Sequence, residues 1–280
     1  MPTPARPRTV IPIAPIAILT DFGYRDHYVG VMKGVIAAIA PAAPTIDITH
    51  GVPAQAVMAG AILLRESWRH FPKRTIFLAI VDPGVGSARR PIVIETAGGA
   101  RFVGPDNGLL SIAAAEAVIR RVIELDPRLY QPKTISSTFH GRDVFAPAAA
   151  ILWKGRSLAS LGRPLDAKKI ETIRIPEPEA GARSITGQVI YIDGYGNLVT
   201  NIQRADLAAL AARFPGHGPL VKIARGATIE LLDTYADAPT GMPLAAIGSF
   251  ELMEIAVRDG SAAARFSIGL GAIIRVVLKQ

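Results

Sequence analysis

Cysteine is absent from the 280 residues, which excludes disulfides, thiolate zinc sites, iron–sulfur clusters and cysteine nucleophiles. Long apolar runs are missing too: proline, glycine or a charge interrupts each one well short of the ~18 residues that a membrane span needs. The opening MPTPARPRTVIPIAP has no unbroken apolar core and no small-residue cleavage site, so it reads as a flexible basic tail rather than a secretory signal. A cytoplasmic protein is expected. No G-x-x-x-x-G-K-[ST], no G-x-G-x-x-G after the first strand, no H-E-x-x-H and no G-x-S-x-G occurs, so the common phosphate, dinucleotide, zinc-protease and esterase signatures are not available. Basic residues outnumber acidic ones, 31 to 23, for a net charge of +8. They form no run of five. The densest groups are Arg89-Arg90, Arg120-Arg121 and Lys168-Lys169, without interleaved aromatics, so neither nucleic acid nor a membrane is expected as a partner.

Half the residues are apolar and 19% are charged, ample for a buried core and too apolar for a disordered chain. Two textures divide the sequence. Over 16–175, short apolar runs (Ile16 to Thr20, Thr45 to Ile48, Thr75 to Val81, Ile92 to Glu95) read as strands. Segments with helical spacing (His27 to Ala40, Ala54 to Arg69, Leu109 to Ile119, Val144 to Trp153) lie among them. That alternation predicts an α/β domain with a mostly parallel central sheet. Residues 176–183, rich in Pro, Glu and Gly, read as a linker. From 184 to 280, β-like runs at Ser184 to Ile192, Leu220 to Ile223, Thr228 to Leu232, Ala245 to Ile247, Leu252 to Val257 and Ala272 to Leu278 predict an all-β barrel domain.

Ligands of open α/β sheets bind beyond the carboxyl ends of the strands. Polar, glycine-rich turns follow several predicted strands: Asp21-Phe-Gly-Tyr-Arg-Asp26, Asp82-Pro-Gly-Val-Gly-Ser-Ala-Arg89 and Gly104-Pro-Asp-Asn-Gly108. Thr138-Phe-His-Gly-Arg-Asp143 precedes a helix. Each alone is also an ordinary turn. Asp21, Asp26 and Asp143 also suit helix caps. Of the five histidines, only His140 lies in such a turn beside Arg142 and Asp143. Asp82, His140 and Asp143 could supply a metal site, but at no diagnostic spacing.

Taken together, the turns resemble a known family. Asp21-Phe-Gly-Tyr-Arg-Asp-His-Tyr-Val-Gly-Val-Met-Lys-Gly34, Asp47-Ile-Thr-His50, Asp82 to Ser87, Gly104 to Leu110, Thr138 to Asp143, Asp193-Gly-Tyr-Gly-Asn-Leu-Val-Thr-Asn201 and Ser249-Phe-Glu-Leu-Met-Glu-Ile-Ala256 are similar, in order, to motifs of the S-adenosyl-L-methionine hydroxide adenosyltransferases, relatives of fluorinase and chlorinase. The resemblance runs from about residue 16 to 278. It implies an α/β domain followed by a β-barrel, and a homotrimer with ligand sites between subunits. The implied reaction is attack of water or hydroxide on C5′ of S-adenosylmethionine, giving adenosine and L-methionine, with no metal or organic cofactor.

By motif, the family's catalytic set falls on Asp82, Arg89 and His140. An arginine stabilises hydroxide electrostatically, and a His–carboxylate pair accepts or relays a proton. The resemblance assigns Asp21 to the ribose hydroxyls, and Phe139 and Gly141 to the sugar and methionine region. Asp193 and Asn197 fall to the methionine amino and carboxylate groups. Ser249, Phe250, Ser261 and Ala263 serve as barrel contacts, chiefly to adenine. Ser261 stands where many relatives carry Asn. Two alternatives use the same scaffold: a halogenase, or a binder of S-adenosylmethionine without turnover. Against the first, Asp82 would cost an incoming halide ~1 to 4 kcal/mol at about 4 Å. Against the second, a binder has no need of the Asp82, Arg89 and His140 set.

Overall fold

The computed structural model describes residues 14–131, 134–223 and 226–279. All but Ala14 and Pro15 of the expected tail lies outside them. The chain divides after Ile173 into two compact units.

The first unit is built on a seven-stranded sheet with strand order β2-β1-β3-β5-β4-β6-β7. Its strands are β1 (Ile16–Thr20), β2 (Thr45–Thr49), β3 (Ile76–Ile80), β4 (Pro91–Thr96), β5 (Arg101–Pro105), β6 (Ile119–Leu125) and β7 (Gly162–Leu165). β1 pairs parallel with β2 and β3, and β3 parallel with β5. β4, β6 and β7 continue antiparallel. β1 and β3 are buried at every position and apolar but for Thr20 at the end of β1, as central parallel strands covered on both faces must be. Helix α1 (Tyr28–Ile39) and α4 (Ala146–Trp153) cover the face carrying Ile16, Ile18, Leu78 and Ile80, where Met32, Ile36 and Ala149 complete the core. Helix α2 (Val57–Trp68) approaches the opposite face through Gly60, where an added Cβ would lie 2.8 Å from Leu109 Cδ1 and 3.0 Å from Val81 Cγ2.

This topology sends the turns after β1, β3 and β5 to one edge. β4 runs the other way and begins beside the end of β5, with Pro91 opposite Pro105. Arg89 and Arg90, just before it, therefore return to that same edge.

Several expectations need correction. The helix expected over 109–119 is α3, only Ser111–Glu116. Val118, at φ 61°, reverses the chain, and Ile119 already begins β6. That strand went unread because Arg120, Arg121 and Glu124 interrupt its apolar residues. The helix expected from Val144 opens with a π-helical turn, Gly141–Phe145. Asp21, Asp26 and Asp143 cap no helix: α1 begins after His27 with no side-chain cap, and so does the turn after His140.

The second unit is an antiparallel, nearly closed barrel of β8 (Glu179–Ala180), β9 (Ser184–Ile192), β10 (Leu198–Gln203), β11 (Pro219–Lys222), β12 (Thr228–Glu230), β13 (Pro243–Ile247), β14 (Leu252–Val257) and β15 (Ile273–Leu278). The order is β12-β11-β15-β9-β10-β14-β13, with β8 on β9. A single bridge, Leu231 to Ala245, links the two ends. The barrel is not purely β: helix α5 (Arg204–Arg213) follows β10, and the short α6 (Ala262–Phe266) follows β14. Leu198, Ile202, Val221, Met253, Ile255 and Ile274 fill the interior.

Candidate active site

Asp82 and Arg89, from one turn, meet His140, from another, at the carboxyl edge of the first sheet. Arg89 Nε donates to Asp82 Oδ1 at 2.9 Å, and Nη2 donates to Asp82 Oδ2. Nη2 also donates to His140 Nδ1 at 2.7 Å. The ion pair is nearly enclosed, with side chains 9% and 6% exposed, and the guanidinium lies 5.3 Å from the centre of the Phe145 ring. Arg89 Nη1 is buried without an acceptor among the described residues. A buried donor left unpaired costs ~1–3 kcal/mol, more when charged; Nη1 has almost no accessible surface, so an oxygen reaches it only if neighbouring side chains shift.

The arrangement fixes the imidazole. A guanidinium has donors only, so Nδ1 must present its lone pair, and in the neutral ring the proton sits on Nε2. Burial lowers the His140 pKa, and the Arg89 charge lowers it further. The guanidinium, rather than a carboxylate, is the hydrogen-bonding partner of His140. The one imidazole lone pair is spent on Arg89, while each Asp82 oxygen accepts one bond from it.

Neighbouring motifs hold the trio in place. Asn107 Nδ2 donates to Val81 O at 2.8 Å, directly before Asp82. Asp106 accepts from Arg90 Nε at 2.8 Å and from Glu171 N at 2.8 Å. The Gly104–Gly108 motif thus braces both ends of the Asp82–Arg89 loop. Gly86, at φ 78°, lies so close to the His140 loop that an added Cβ would stand 2.5 Å from Ser137 O. Asp143 accepts from Arg142 Nε at 2.7 Å and from Ser136 N at 2.8 Å. The Arg142 bonds hold its carboxyl below the usual range. The adjoining π-turn aims His140 from a rigid helix entrance, a frequent device at functional sites. Asp143 and Asp82 are therefore committed to arginines, and among the described residues no group of three His, Cys, Asp or Glu side chains converges as a metal site would.

The Asp21 turn joins the same edge. Asp21 Oδ2 accepts from Gln55 N at 2.8 Å. Phe22 meets Phe139 edge-on at 6.2 Å, and Tyr28 meets Phe139 at 5.1 Å, which packs the Asp21 turn against the residue before His140. Gly141 is closely surrounded: a Cβ there would lie 3.0 Å from Met32 Sδ and 3.1 Å from Phe139 Cε2. Asp21, Phe139 and Gly141 are thus grouped around the trio's edge.

A separate cavity of about 1030 Å³ opens in the barrel, lined among others by Asp193, Asn197, Ser249, Phe250, Glu254 and Ser261. Asp193 organises its own turn, accepting from Tyr195 N and Asn197 N at 2.9 Å each through Oδ1, and from Asn197 Nδ2 at 2.9 Å through Oδ2. Ser261 caps α6 by accepting from Ala264 N at 3.2 Å. Ala263 is not among the lining residues; its N–H donates to Gly196 O at 3.0 Å. Sequence reasoning gave Glu254 and Tyr235 no role. Glu254 is 8% exposed and accepts from the Tyr235 hydroxyl. Burial pushes its carboxyl up, with Asp193 adding to the effect. One signal was available: Glu254 is the lone charge in Leu252–Val257, a strand buried throughout.

With both sites described, comparison with known proteins is decisive. A family model described as SAM hydroxide adenosyltransferase N-terminal domain matches residues 16–162, and its C-terminal domain counterpart matches 187–275. The chain belongs to the SAM hydroxide adenosyltransferase family. An (R)-S-adenosyl-L-methionine hydrolase of Thermus thermophilus is 35% identical over 270 residues, covering 94% of this chain and 99% of that protein. A fluorinase of Nocardia brasiliensis is 28% identical over 290 residues, 93% of this chain and 96% of its own. The crystal structure of an uncharacterized conserved protein from Thermotoga maritima superposes with a TM-score of 0.85 at 36% identity, covering 94% and 99% of the two chains. Within this family frame, the trio and the barrel cavity fall on the motifs that carried the resemblance.

Proposed function

We propose that the protein is an (R)-S-adenosyl-L-methionine hydrolase: the oxygen of water bonds to C5′ of the substrate, the C5′–S bond breaks, and its electron pair returns to sulfur. Adenosine, L-methionine and a proton result. Similarity over nearly the whole chain to a named hydrolase supports the reading, and one geometric observation carries the mechanism. The buried Arg89 is anchored by Asp82 and His140 while a third nitrogen, Nη1, has no acceptor among the described residues.

A sulfonium leaves as a neutral thioether, so the leaving side needs no acid. The difficulty lies in the nucleophile. Arg89 and the Nε2–H of neutral His140 are donors that favour an oxygen bearing negative charge, the preorganised electrostatic stabilisation that lowers such barriers. The trio therefore holds hydroxide, and the water's proton leaves to solvent. Asp82 keeps the guanidinium in register.

The same proposal assigns Asp21 to the ribose hydroxyls, and Phe139 and Gly141 to the surface against which sugar and methionine lie. Asp193 and Asn197 hold the methionine end. Ser249 and Phe250 contact adenine, with Ser261 and Ala263 acting through the Gly196 turn they brace. A homotrimer belongs to this reading, and a solution mass of three chains is expected from light scattering.

The test is incubation with S-adenosylmethionine in ¹⁸O-labelled water, with mass analysis of the nucleoside. Label on the 5′ oxygen of adenosine is expected. Unlabelled adenosine or none rejects the proposal, and a 5′-halo-5′-deoxyadenosine formed in chloride instead identifies a halogenase.

A further inference from the structure

The Asp47–His50 motif belongs to neither the trio nor the cavity, yet His50 is fully buried. His50 Nε2 lies 3.1 Å from Asp47 Oδ1, a close electrostatic contact outside hydrogen-bond geometry, and Nδ1 lies 2.7 Å from Thr20 Oγ1. Thr20 Oγ1 accepts from Phe22 N at 3.2 Å. At the outer end, Lys33 Nζ donates to Asp47 Oδ2 at 2.7 Å. Burial works against the Asp47 charge, but Lys33 and His50 keep its carboxyl below the ordinary range. With a single ring proton on Nε2, facing the carboxylate, Nδ1 accepts from the Thr20 hydroxyl. That turns a lone pair of Oγ1 toward the Phe22 N–H. The backbone of His50 acts on the same turn, since Gly23 N donates to His50 O at 2.8 Å and Gly23 sits at φ 66°. Tyr24 closes over the ring edge-on, at 5.2 Å and 83°.

We infer that His50 and Thr20 are positioning residues: the Lys33–Asp47–His50–Thr20 relay orients the Asp21 turn, and through it sets how strictly the enzyme demands a ribose in its substrate. The inference rests on the proposed role of Asp21 toward the ribose hydroxyls. It uses what the turn itself shows: Phe22 and Gly23, the two residues after Asp21, have their N–H groups fixed by His50, one through Thr20 and one directly. Asp21 caps no helix, and its carboxylate is tethered by Gln55 N on a different segment. A carboxylate that must meet two vicinal hydroxyls needs its backbone fixed to within a fraction of an ångström.

The test compares S-adenosylmethionine with its 2′-deoxy analogue, reading the ratio of the two kcat/KM values. Thr20→Val keeps the shape of the buried side chain and removes the hydroxyl. It is expected to raise KM for the ribose substrate and to shrink the ratio by about tenfold, the scale of one lost hydrogen bond. Thr20→Ser should restore the ratio. A second pair avoids altering Thr20: His50→Asn retains an acceptor near the Nδ1 position and should keep most of the discrimination, whereas His50→Leu should lose it. Simple loosening of the fold lowers both rates together and leaves the ratio intact. A wild-type ratio in Thr20→Val, or in His50→Leu should Thr20→Val fail to fold, overturns the relay. Wild-type protein that forms no adenosine instead removes the hydrolase reading, and the relay's role with it.

Discussion

Asp82→Asn tests the mechanism most directly. Arg89 gives Asp82 two N–H bonds in a forked pair. Asparagine can accept only one of them, and its NH₂ then faces an N–H donor. One charge-assisted hydrogen bond is lost, worth ~1.5–3 kcal/mol, and the guanidinium turns away from His140. If that bond serves the transition state alone, then at ~1.36 kcal/mol per decade of rate adenosine formation drops roughly 10- to 150-fold. KM moves little, because Asp82 touches Arg89 rather than substrate. The same substitution breaks a nearly enclosed ion pair, which costs ~3–5 kcal/mol of stability, so rates must be read well below the melting temperature. Glu95→Gln is the control. Its carboxylate is 6% exposed and pairs with Arg101 and Arg121 toward the far end of β4, so it loses comparable bonds while turnover of the folded variant stays close to wild type. Initial rates by chromatography of adenosine decide the matter. Near-normal kcat in folded Asp82→Asn, or equal losses in both variants, would refute the role given to Arg89.

Other consequences are accessible to simple measurements. Because burial and Arg89 depress the His140 pKa, the Arg89–His140 bond persists below the ordinary imidazole value of about 6.5, and the acid limb of the kcat profile should lie below that pH. The unfolded chain takes up this proton first, so the His140 contribution to stability is present above about pH 6.5 and is lost as pH falls through the window between the two values; melting temperatures of wild type and His140→Gln against pH check the sign. Gly86→Ala should lose ~1–2 kcal/mol to left-handed strain, with further loss from contact at Ser137 O, and should lower both melting temperature and kcat. Glu254→Gln should raise the barrel's stability at neutral pH and lose that advantage in acid. The raised Glu254 carboxyl favours the protonated form, so its stabilising contribution is present below the unfolded pKa and lost as pH rises through the folded one.

Strand–helix alternation and barrel texture were legible because both rest on local periodicity. β1 and β3 read cleanly as unbroken apolar runs. β6 did not, since Arg120 and Arg121 are both exposed where its pairing with β4 shifts register, and β10 hid inside the Asp193–Asn201 motif. Helices α5 and α6 escaped notice because little of either is buried: α5 buries Leu210 and α6 buries Ala262. The trio's members could be named from spacing and resemblance. Their connectivity could not, because it depends on Arg89 arriving at the head of an antiparallel strand between Asp82 and His140. Sequence reasoning paired His140 with a carboxylate, while the folded chain interposes a guanidinium. His50 looked unpartnered because its partner Thr20 lies 30 residues away on the adjacent parallel strand.

That interposed guanidinium bears on which nucleophile the scaffold admits. Asp82 and Arg89 cancel, and neutral His140 adds nothing, so the site has no net charge to draw in an anion. A halide would have to shed its hydration shell to enter, a large cost that the trio itself does not offset with any net charge. Water enters at no comparable cost, because it is neutral and both accepts and donates. In the proposed reaction, bound water would meet Arg89 Nη1 and the imidazole N–H as donors, with a sulfonium across the reacting carbon, and all three would stabilise the charge that appears when a proton leaves. On this proposal the trio discriminates by being neutral toward what arrives and cationic in its hydrogen bonds toward what forms. Replacing either charged member unbalances this arrangement: without Asp82 the trio becomes a cation that attracts halides, and without Arg89 it becomes an anion that repels hydroxide.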